Sequence, residues 1–372
     1  MASKSILPNC TQIALQNATA TEEAEEREYS EFYTQSQFIT GLILYPIFCI
    51  PGIIGNALTI IVLTQKTMRT STNAFLSALA ISDMIKLMND LMYFIVLLIS
   101  RSYPTIGKTA FGYIYPYAHF IFNLAACVSS WLIVSVAAER YLMVCHAAQA
   151  KTLCTRRIAI IVSAVIYTCM TILAIPSAIR YKTVSCFDYN QNKTVYDIHV
   201  TELWMNENFE TAYNWIQNLL RSVIPFLVLI VLNTYIINAL RKTRANRRFS
   251  ARNRITFMLI MVIVVFVVCI TPDAIMSACF GLGYYDENLL VKGIREFTDT
   301  LLAVNAALNF VLYCLFNKVF REHFRTIFCH RLGGRRITME PDESEYRRLS
   351  DQKNNLSIAT KLTIQKTATT HV

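Results

Sequence analysis

Seven stretches of the chain are apolar for long enough to cross the hydrocarbon core of a bilayer, which is about 30 Å thick. They lie near 38–64, 73–99, 110–144, 157–179, 216–241, 254–282 and 296–316. Of the 372 residues, 54% are hydrophobic and only 16% are charged, which is typical of a membrane protein and not of soluble domains. Because backbone polar groups must be paired inside lipid, each stretch is expected to be helical. The predicted fold class is an all-α membrane protein, a seven-transmembrane helix bundle.

Basic residues are concentrated on one side of the predicted spans. The gap between the fifth and sixth spans contains Arg241, Lys242, Arg244, Arg247, Arg248, Arg252 and Arg254. The gaps after the first and third spans are also basic, whereas acids cluster before residue 32 and in the remaining gaps. Lys and Arg stay preferentially in the cytoplasm, so we expect a multi-pass protein of the plasma membrane with its amino terminus outside. The formal charge of +10 is then a property of the loops and does not indicate nucleic-acid binding.

This topology divides the chain into four parts. Residues 1–37 are polar and acidic and are expected to be extracellular and mobile. Residues 38–316 form the membrane domain, and 317–329 alternate apolar and basic residues as a short amphipathic eighth helix on the membrane surface would. Residues 330–372 form a cytoplasmic tail. Cys329 is a candidate palmitoylation site, and an unmodified thiol is an equal alternative.

Amide, carboxyl and hydroxyl side chains occur about midway along four of the apolar spans. They are Asn56, Asp83, Ser129, Asn305 and Asn309. Polar groups at this depth are costly and tend to mark function, so these oxygens are candidates to hold an allosteric sodium ion. A buried polar network that only fixes helix packing is the alternative. No other cofactor is predicted.

Five short motifs occur in order, each in its own span. They are the sequences at 52–56 (Gly-Ile-Ile-Gly-Asn), 79–83 (Leu-Ala-Ile-Ser-Asp), 139–141 (Glu-Arg-Tyr), 269–272 (Cys-Ile-Thr-Pro) and 309–313 (Asn-Phe-Val-Leu-Tyr). This set resembles that of the rhodopsin-like, or class A, G-protein-coupled receptors. The sequences at 71–73 and 138–154 further resemble those of invertebrate FMRFamide receptors. The resemblance implies a receptor for a short neuropeptide.

The resemblance also implies roles for residues in the cytoplasmic half. Glu139, Arg140, Tyr141, Asn309 and Tyr313 would take part in activation and in coupling to a heterotrimeric G protein. Arg140 would contact that protein when the sixth helix swings outward, and Glu139 would hold Arg140 at rest in a charge-assisted pair. Arrestin is implied as a further cytoplasmic partner.

Several positions depart from the pattern of these receptors. In some relatives an acid at the foot of the sixth helix also restrains the arginine, but this chain has basic residues there, so basal activity is expected. Ile270 replaces the usual tryptophan, and Tyr115 replaces the cysteine at the outer end of the third helix. Cys186 therefore lacks its customary partner. It is left to pair with Cys10 or Cys279, or to remain free.

The ligand is expected to be a cationic, amidated peptide. A retinal-binding lysine is missing from the seventh span and an amine-binding aspartate from the third. The candidate ligand-binding residues are Asp90, His119, Phe122, Asn123, Asp273 and Asp299. For each acid the alternative is a local salt bridge, for example with Arg221 or Arg295. A non-peptide small ligand is the alternative within the family, and a membrane transporter is the alternative outside it.

Other predictions concern modification and partners. Asn9, Asn17 and Asn192 begin sequons that would lie outside the cell and could be glycosylated. Thr370-His371-Val372 resembles a ligand for a PDZ domain. No nucleophile, base and orienting group fall together, and no phosphate-binding glycine loop occurs, so the chain is not predicted to be an enzyme.

Overall fold

The computed structural model describes residues 20–188, 193–243, 252–280 and 288–328. The helices are α1 (Ala20–Gln37), α2 (Tyr45–Leu63), α3 (Ser71–Ser102), α4 (Pro104–Cys145), α5 (Ala147–Leu153), α6 (Arg156–Ala178), α7 (Glu207–Asn218), α8 (Ile224–Thr243), α9 (Arg252–Phe280), α10 (Leu289–Phe316) and α11 (Lys318–Phe328). Two π-helical turns, Phe38–Leu44 and Leu219–Val223, join α1 to α2 and α7 to α8. The seven predicted spans thus correspond to α2, α3, α4, α6, α8, α9 and α10, which confirms the predicted helical bundle.

Six of these seven helices, counted with the helical segments continuous with them, are long and apolar enough to cross a membrane. The seventh, α3, is 32 residues long but carries Asp83, Lys86 and Asp90 within its middle two turns. All three side chains are buried against neighbouring helices. Helix α3 packs on α2, α4, α6 and α10. Its charges therefore face protein and not lipid, which is where ionisable residues in spanning helices are found.

Several helices begin where a side chain caps the free backbone N–H groups. The Thr70 hydroxyl accepts a hydrogen bond from the Asn73 N–H at 3.2 Å, and α3 begins at the next residue. The Asn288 side chain accepts from the Val291 N–H at 2.8 Å, so α10 begins seven residues before the predicted span at 296. Threonine and asparagine are favoured at this position because they satisfy a donor that the helix cannot.

The predicted boundary near residue 37 does not coincide with the end of a helix. Helix α1 continues through the π-helical turn into α2, so the rod begins at Ala20 where we expected a mobile segment. Buried polar residues tie this rod to α10, because the Thr40 hydroxyl donates to Glu296 Oε2 at 3.2 Å. Gly293 leaves the space that the ring of Phe32 occupies, since a Cβ there would lie 2.5 Å from Phe32 Cε1.

Strands β1 (Tyr181–Asp188) and β2 (Lys193–Val200) form an antiparallel hairpin, with Tyr181 opposite Val200 and Cys186 opposite Val195. The hairpin contacts the first turns of α4, where the Thr183 hydroxyl donates to the Gly112 carbonyl at 2.7 Å. We call this the hairpin end of the bundle. Cys279 is a free cysteine, which removes it from the alternative partners of Cys186, and Cys10 lies outside the described residues.

The opposite end is marked by the last turns of α4, and we call it the Arg140 end. Helix α11 begins there after Asn317, whose side chain accepts a hydrogen bond from the Phe320 N–H at 3.0 Å. Phe320 is buried, and its ring centroid lies 5.7 Å from that of Tyr313. The predicted amphipathic helix at 317–329 is therefore present as Lys318–Phe328. Cys329 and the tail at 330–372 lie outside the described residues.

Small residues permit close helix packing, while large apolar residues face outward. On α6, Ile161 and Ile172 are 54% and 62% exposed, as expected of side chains that contact lipid. In contrast, Gly52 of α2 is buried against α3 and α10, where a Cβ would lie 2.7 Å from Leu87 Cδ1 and 3.1 Å from Ala307 Cα. Small residues at such contacts let the backbones approach.

We predict that Gly52→Ala destabilises the protein by about 1–3 kcal/mol, because the backbone atom of Ala307 cannot move aside as a flexible side-chain end can. The midpoint of thermal unfolding in detergent should fall. Gly112→Ala is the matched control, since its new methyl group would meet Tyr196 Cβ at an ordinary 3.4 Å. Equal midpoints for the two variants would contradict this account of the packing.

Candidate functional site

A cavity of about 110 Å³ opens between the helices near the hairpin end. Its lining combines aromatic and ionisable side chains, namely Tyr45, Asn89, Asp90, Tyr93, Tyr115, Ala118, His119, Phe122, Asn123, Arg221, Arg295, Glu296 and Asp299. Five of the six predicted ligand-binding residues are among them. Asp273, which belongs to α9, does not line the cavity. It forms a salt bridge with Arg221, which does.

The three predicted acids differ in whether a cation already neutralises them. Lys86 Nζ lies 2.5 Å from Asp90 Oδ2, with both side chains only 5% exposed, so Asp90 has a partner on its own helix. Asp273 is paired with Arg221. Asp299 has no salt bridge within the described part of the chain, and its Oδ1 atom is buried without a hydrogen-bond partner. Asp299 is therefore the predicted acid that remains available to a ligand.

Glu296 is a fourth acid of the cavity, which the sequence analysis missed. It lies one helical turn before Asp299 on α10. Tyr93 donates to its Oε1 atom at 2.7 Å and Thr40 to its Oε2 atom at 3.2 Å. The signal available in the sequence was the spacing of the two acids, which places them one helical turn apart, although Glu296 is the first residue of the predicted span.

The formal charges around the cavity do not balance. Four carboxylates, those of Asp90, Asp273, Glu296 and Asp299, lie in or next to its wall. Three cations, those of Lys86, Arg221 and Arg295, lie with them. The difference of one negative charge among these described residues favours a cationic ligand, because opposite charges attract strongly where water is excluded.

Aromatic rings form the wall below the hairpin. The ring centroid of Tyr181, at the start of β1, lies 5.1 Å from that of Tyr115 and 5.3 Å from that of His119. On α4, Asn123 Nδ2 lies 3.2 Å from His119 Nε2. Deeper in the bundle, the Lys86 ammonium lies 5.0 Å from the centre of the Phe122 ring. The hairpin thus covers the aromatic side of the cavity.

Three of the five residues predicted to hold sodium, Asp83, Ser129 and Asn309, are joined directly, and we call them the Asp83 network. Ser129 donates to Asp83 Oδ1 at 2.9 Å, and Asn309 donates to Asp83 Oδ2 at 2.7 Å. Asn56 instead donates to the Gly52 and Ala306 carbonyls, each at 3.0 Å, which links α2 to α10.

The two other residues predicted to hold sodium, Asn56 and Asn305, are also buried. Asn56 Oδ1 is buried and has no hydrogen-bond partner. Asn305 is buried one helical turn before Asn309, and no hydrogen bond joins it to Asp83 within the described residues. A buried carboxylate with amide and hydroxyl oxygens nearby is a chemical environment that fits a small hard cation.

At the Arg140 end, Glu139 and Arg140 do not form the predicted ion pair within the described part of the chain. The Ser71 hydroxyl donates to Glu139 Oε1, and Arg140 Nη2 donates to the Thr72 hydroxyl. Ser71 and Thr72 belong to the first turn of α3. In the sequence they are part of the motif at 71–73. The expected pair was wrong because a second helix supplies nearer partners for each charge.

The other residues predicted for activation are spread along the same half of the bundle. The Tyr141 hydroxyl lies 3.1 Å from His146 Nε2, outside the buried cluster around Arg140. Tyr313 is buried beside α11. Asn309 belongs to the Asp83 network described above. The predicted glycosylation sites Asn9, Asn17 and Asn192 lie outside the described residues.

The chain is similar in sequence to several known receptors. The chain is 27% identical to the FMRFamide receptor of Drosophila melanogaster over 78% of its own length and 54% of that receptor, so it spans about half of this relative. It is 27% identical to the sex peptide receptor of the same fly, covering 77% of this chain and 72% of that receptor. It is also 27% identical to mouse neuromedin-U receptor 1, covering 84% and 79% respectively.

The family comparison covers the membrane bundle itself. Residues 55–313, which run from α2 to the end of α10, match the sequence model of the 7 transmembrane receptor (rhodopsin family). The matched range includes Asp83, Ser129 and Asn309, all the cavity-lining residues except Tyr45, and the Glu139–Arg140 cluster. These receptors are not enzymes, which confirms that prediction. The chain is therefore a multi-pass membrane protein that belongs to the rhodopsin family of seven-transmembrane receptors.

Proposed function

We propose that the protein is a receptor that binds a short, cationic, amidated peptide in the cavity and activates a heterotrimeric G protein at the Arg140 end. In this proposal the hairpin end and the amino terminus face outward. The basic residues between α8 and α9 support this orientation, because cytoplasmic loops are enriched in Lys and Arg. Two of the relatives bear the names of peptides, FMRFamide and sex peptide.

The observation that carries the proposal is that the Asp299 carboxylate has no salt bridge among the described residues. Its carboxylate lines a cavity with one surplus negative charge, and one of its oxygens is buried without a partner. An unpaired buried charge is costly, and a bound cation would remove that cost. The aromatic wall formed by Tyr115, His119 and Phe122 suits the ring of a neighbouring aromatic residue in the same peptide.

We predict that Asp299→Asn lowers the potency of the probe peptide Phe-Met-Arg-Phe-amide by about tenfold to a hundredfold, because a charge-assisted hydrogen bond contributes about 1.5–3 kcal/mol. Potency would be measured as G-protein nucleotide exchange in membranes against peptide concentration. Glu207→Gln is the matched control, since Glu207 is an exposed acid of α7 that does not line the cavity.

The partner of Asp299 is identified by changing the peptide as well. Replacing its arginine by citrulline removes the charge with little change in shape. This peptide should be weak on the wild type, and Asp299→Asn should weaken it no further. If the variant lowers the potency of both peptides by the same factor, Asp299 does not bind the arginine. If no peptide in such a series raises exchange, the proposed ligand class is wrong.

At the Arg140 end, we predict that Thr72→Val raises nucleotide exchange without agonist by about threefold to tenfold. The substitution removes the acceptor that holds Arg140 Nη2, and a loss of about 1 kcal/mol shifts a two-state equilibrium by that factor. Thr168→Val is the control, since that exposed hydroxyl donates only to the Ala164 carbonyl of its own helix. If nucleotide exchange without agonist is unchanged in Thr72→Val, the hydrogen bond from Arg140 to Thr72 does not restrain the inactive state.

We also propose that the Asp83 network takes a sodium ion, held by Asp83, Ser129 and the Asn56 side-chain oxygen. Sodium chloride should then raise the midpoint of thermal unfolding of the agonist-free protein relative to choline chloride at equal ionic strength. Asp83→Asn should abolish the difference, because it removes the only formal charge of this network. An equal response of wild type and variant to the two salts would contradict the site.

Arrestin is proposed as a further cytoplasmic partner on the strength of the family alone. The PDZ ligand at Thr370-His371-Val372 stays a prediction, since those residues lie outside the described part of the chain.

A further inference from the structure

Arg221 occupies an unusual position in the bundle. It lies in the π-helical turn Leu219–Val223, immediately before α8, and its side chain is only 1% exposed. A π-helical turn inserts an extra residue into the helical repeat and is often found at functional sites. A fully buried guanidinium at this depth requires partners on other helices, because its charge cannot reach water.

Those partners come from two neighbouring helices. Arg221 Nη1 donates to Asn123 Oδ1 of α4 at 3.0 Å. Arg221 Nη2 donates to the Asp273 carboxylate and, at 3.1 Å, to the Ser277 hydroxyl, both on α9. One side chain therefore links the start of α8 with α4 and α9. We call these four residues the Arg221 hub.

One donor of the hub is unused. Arg221 Nε is buried and has no hydrogen-bond partner in the described part of the chain, although Arg221 lines the cavity. A buried N–H group without an acceptor costs about 1–3 kcal/mol. An acceptor on a molecule in the cavity would satisfy it without disturbing the three contacts made by the other nitrogens.

The charge of the hub restricts what this acceptor can be. The Asp273 carboxylate already neutralises the Arg221 guanidinium. An anionic group would therefore add an unmatched negative charge to a cavity that has a surplus of one, whereas a neutral carbonyl oxygen adds none. We propose that Arg221 Nε binds a backbone or amide carbonyl oxygen of the peptide and that the hub transmits this contact to α9.

This inference rests on the proposed peptide function, but it also concerns the ligand-free protein. In the receptors that the chain resembles, activation moves the sixth helix, which is α9 here. Ile270 stands where those receptors have a tryptophan, one helical turn before Asp273. The hub therefore provides a link between the cavity and α9 at the level where the aromatic residue is missing.

The first experiment tests the hub without any peptide. Asp273→Asn removes the charge that holds Arg221 to α9, and nucleotide exchange without agonist should rise by about threefold or more. Glu210→Gln is the matched control, because it breaks a different arginine–carboxylate pair, Arg180–Glu210 at 2.6 Å, which does not involve α9. Surface expression of both variants shows that they fold. Equal basal exchange in the two variants would overturn the role of the hub.

The second experiment tests the carbonyl contact with Phe-Met-Arg-Phe-amide. Arg221→Lys keeps a cation opposite Asp273 but has no nitrogen equivalent to Nε, so peptide potency should fall about tenfold. Thioamide analogues, each with one carbonyl oxygen replaced by sulfur, identify the acceptor. One analogue should be less potent than the parent peptide on the wild type. On Arg221→Lys, the same analogue and the parent peptide should be equally potent.

The outcomes separate this inference from the proposed function. Full peptide potency in Arg221→Lys, or an equal loss for every thioamide on both proteins, would overturn the carbonyl contact while leaving a peptide receptor in place. Failure of all peptides on the wild type would refute the proposed function instead, and the ligand-free comparison of Asp273→Asn with Glu210→Gln would still decide the role of the hub.

Discussion

Neutralisation of charge inside the membrane is the constraint on which the rest of the structure depends. An isolated ionisable side chain at the centre of a spanning helix costs about 2.5–3.5 kcal/mol on insertion scales. Helix α3 carries three such residues and α10 carries two acids in its first half. Burial of these groups between helices, with a cation or several donors among the described residues for all of them except Asp299, is what allows both segments to cross a bilayer. The charged residues thereby determine which helix faces meet.

The same constraint explains where the binding cavity lies. Lys86 and Arg221 neutralise Asp90 and Asp273, so these two acids contribute to the stability of the bundle and present no free charge. Glu296 is held by two hydroxyl groups. Asp299 has neither kind of partner, and it lines the space between the helices. A cation-binding site thus arises where the internal pairing of charges is incomplete.

Polar and aromatic contacts occur at two positions where this sequence departs from the receptor pattern that it resembles. Tyr115 replaces a cysteine, and the hairpin is held against α4 by ring contacts and by the Thr183 hydroxyl. At the opposite end, hydroxyl groups of α3 hold Glu139 and Arg140, in a chain that lacks an acid at the start of α9. These contacts are weaker than a disulfide or an ion pair, so the states they stabilise should interconvert more readily.

Hydropathy and loop charge are sums over local residues, so the number of spanning helices, the polar positions inside them and the basic side of the bundle could be predicted from the sequence alone. The Lys86–Asp90 pair could have been foreseen from its spacing of four residues on one helix. The partners of the other charges could not be predicted, because they depend on how the helices pack. Arg221 and Asp273 are 52 residues apart, and Ser71 and Glu139 are 68 apart. Hydrogen bonds depend on distances of a few tenths of an ångström between side chains of different helices, and local sequence patterns contain no information about such distances.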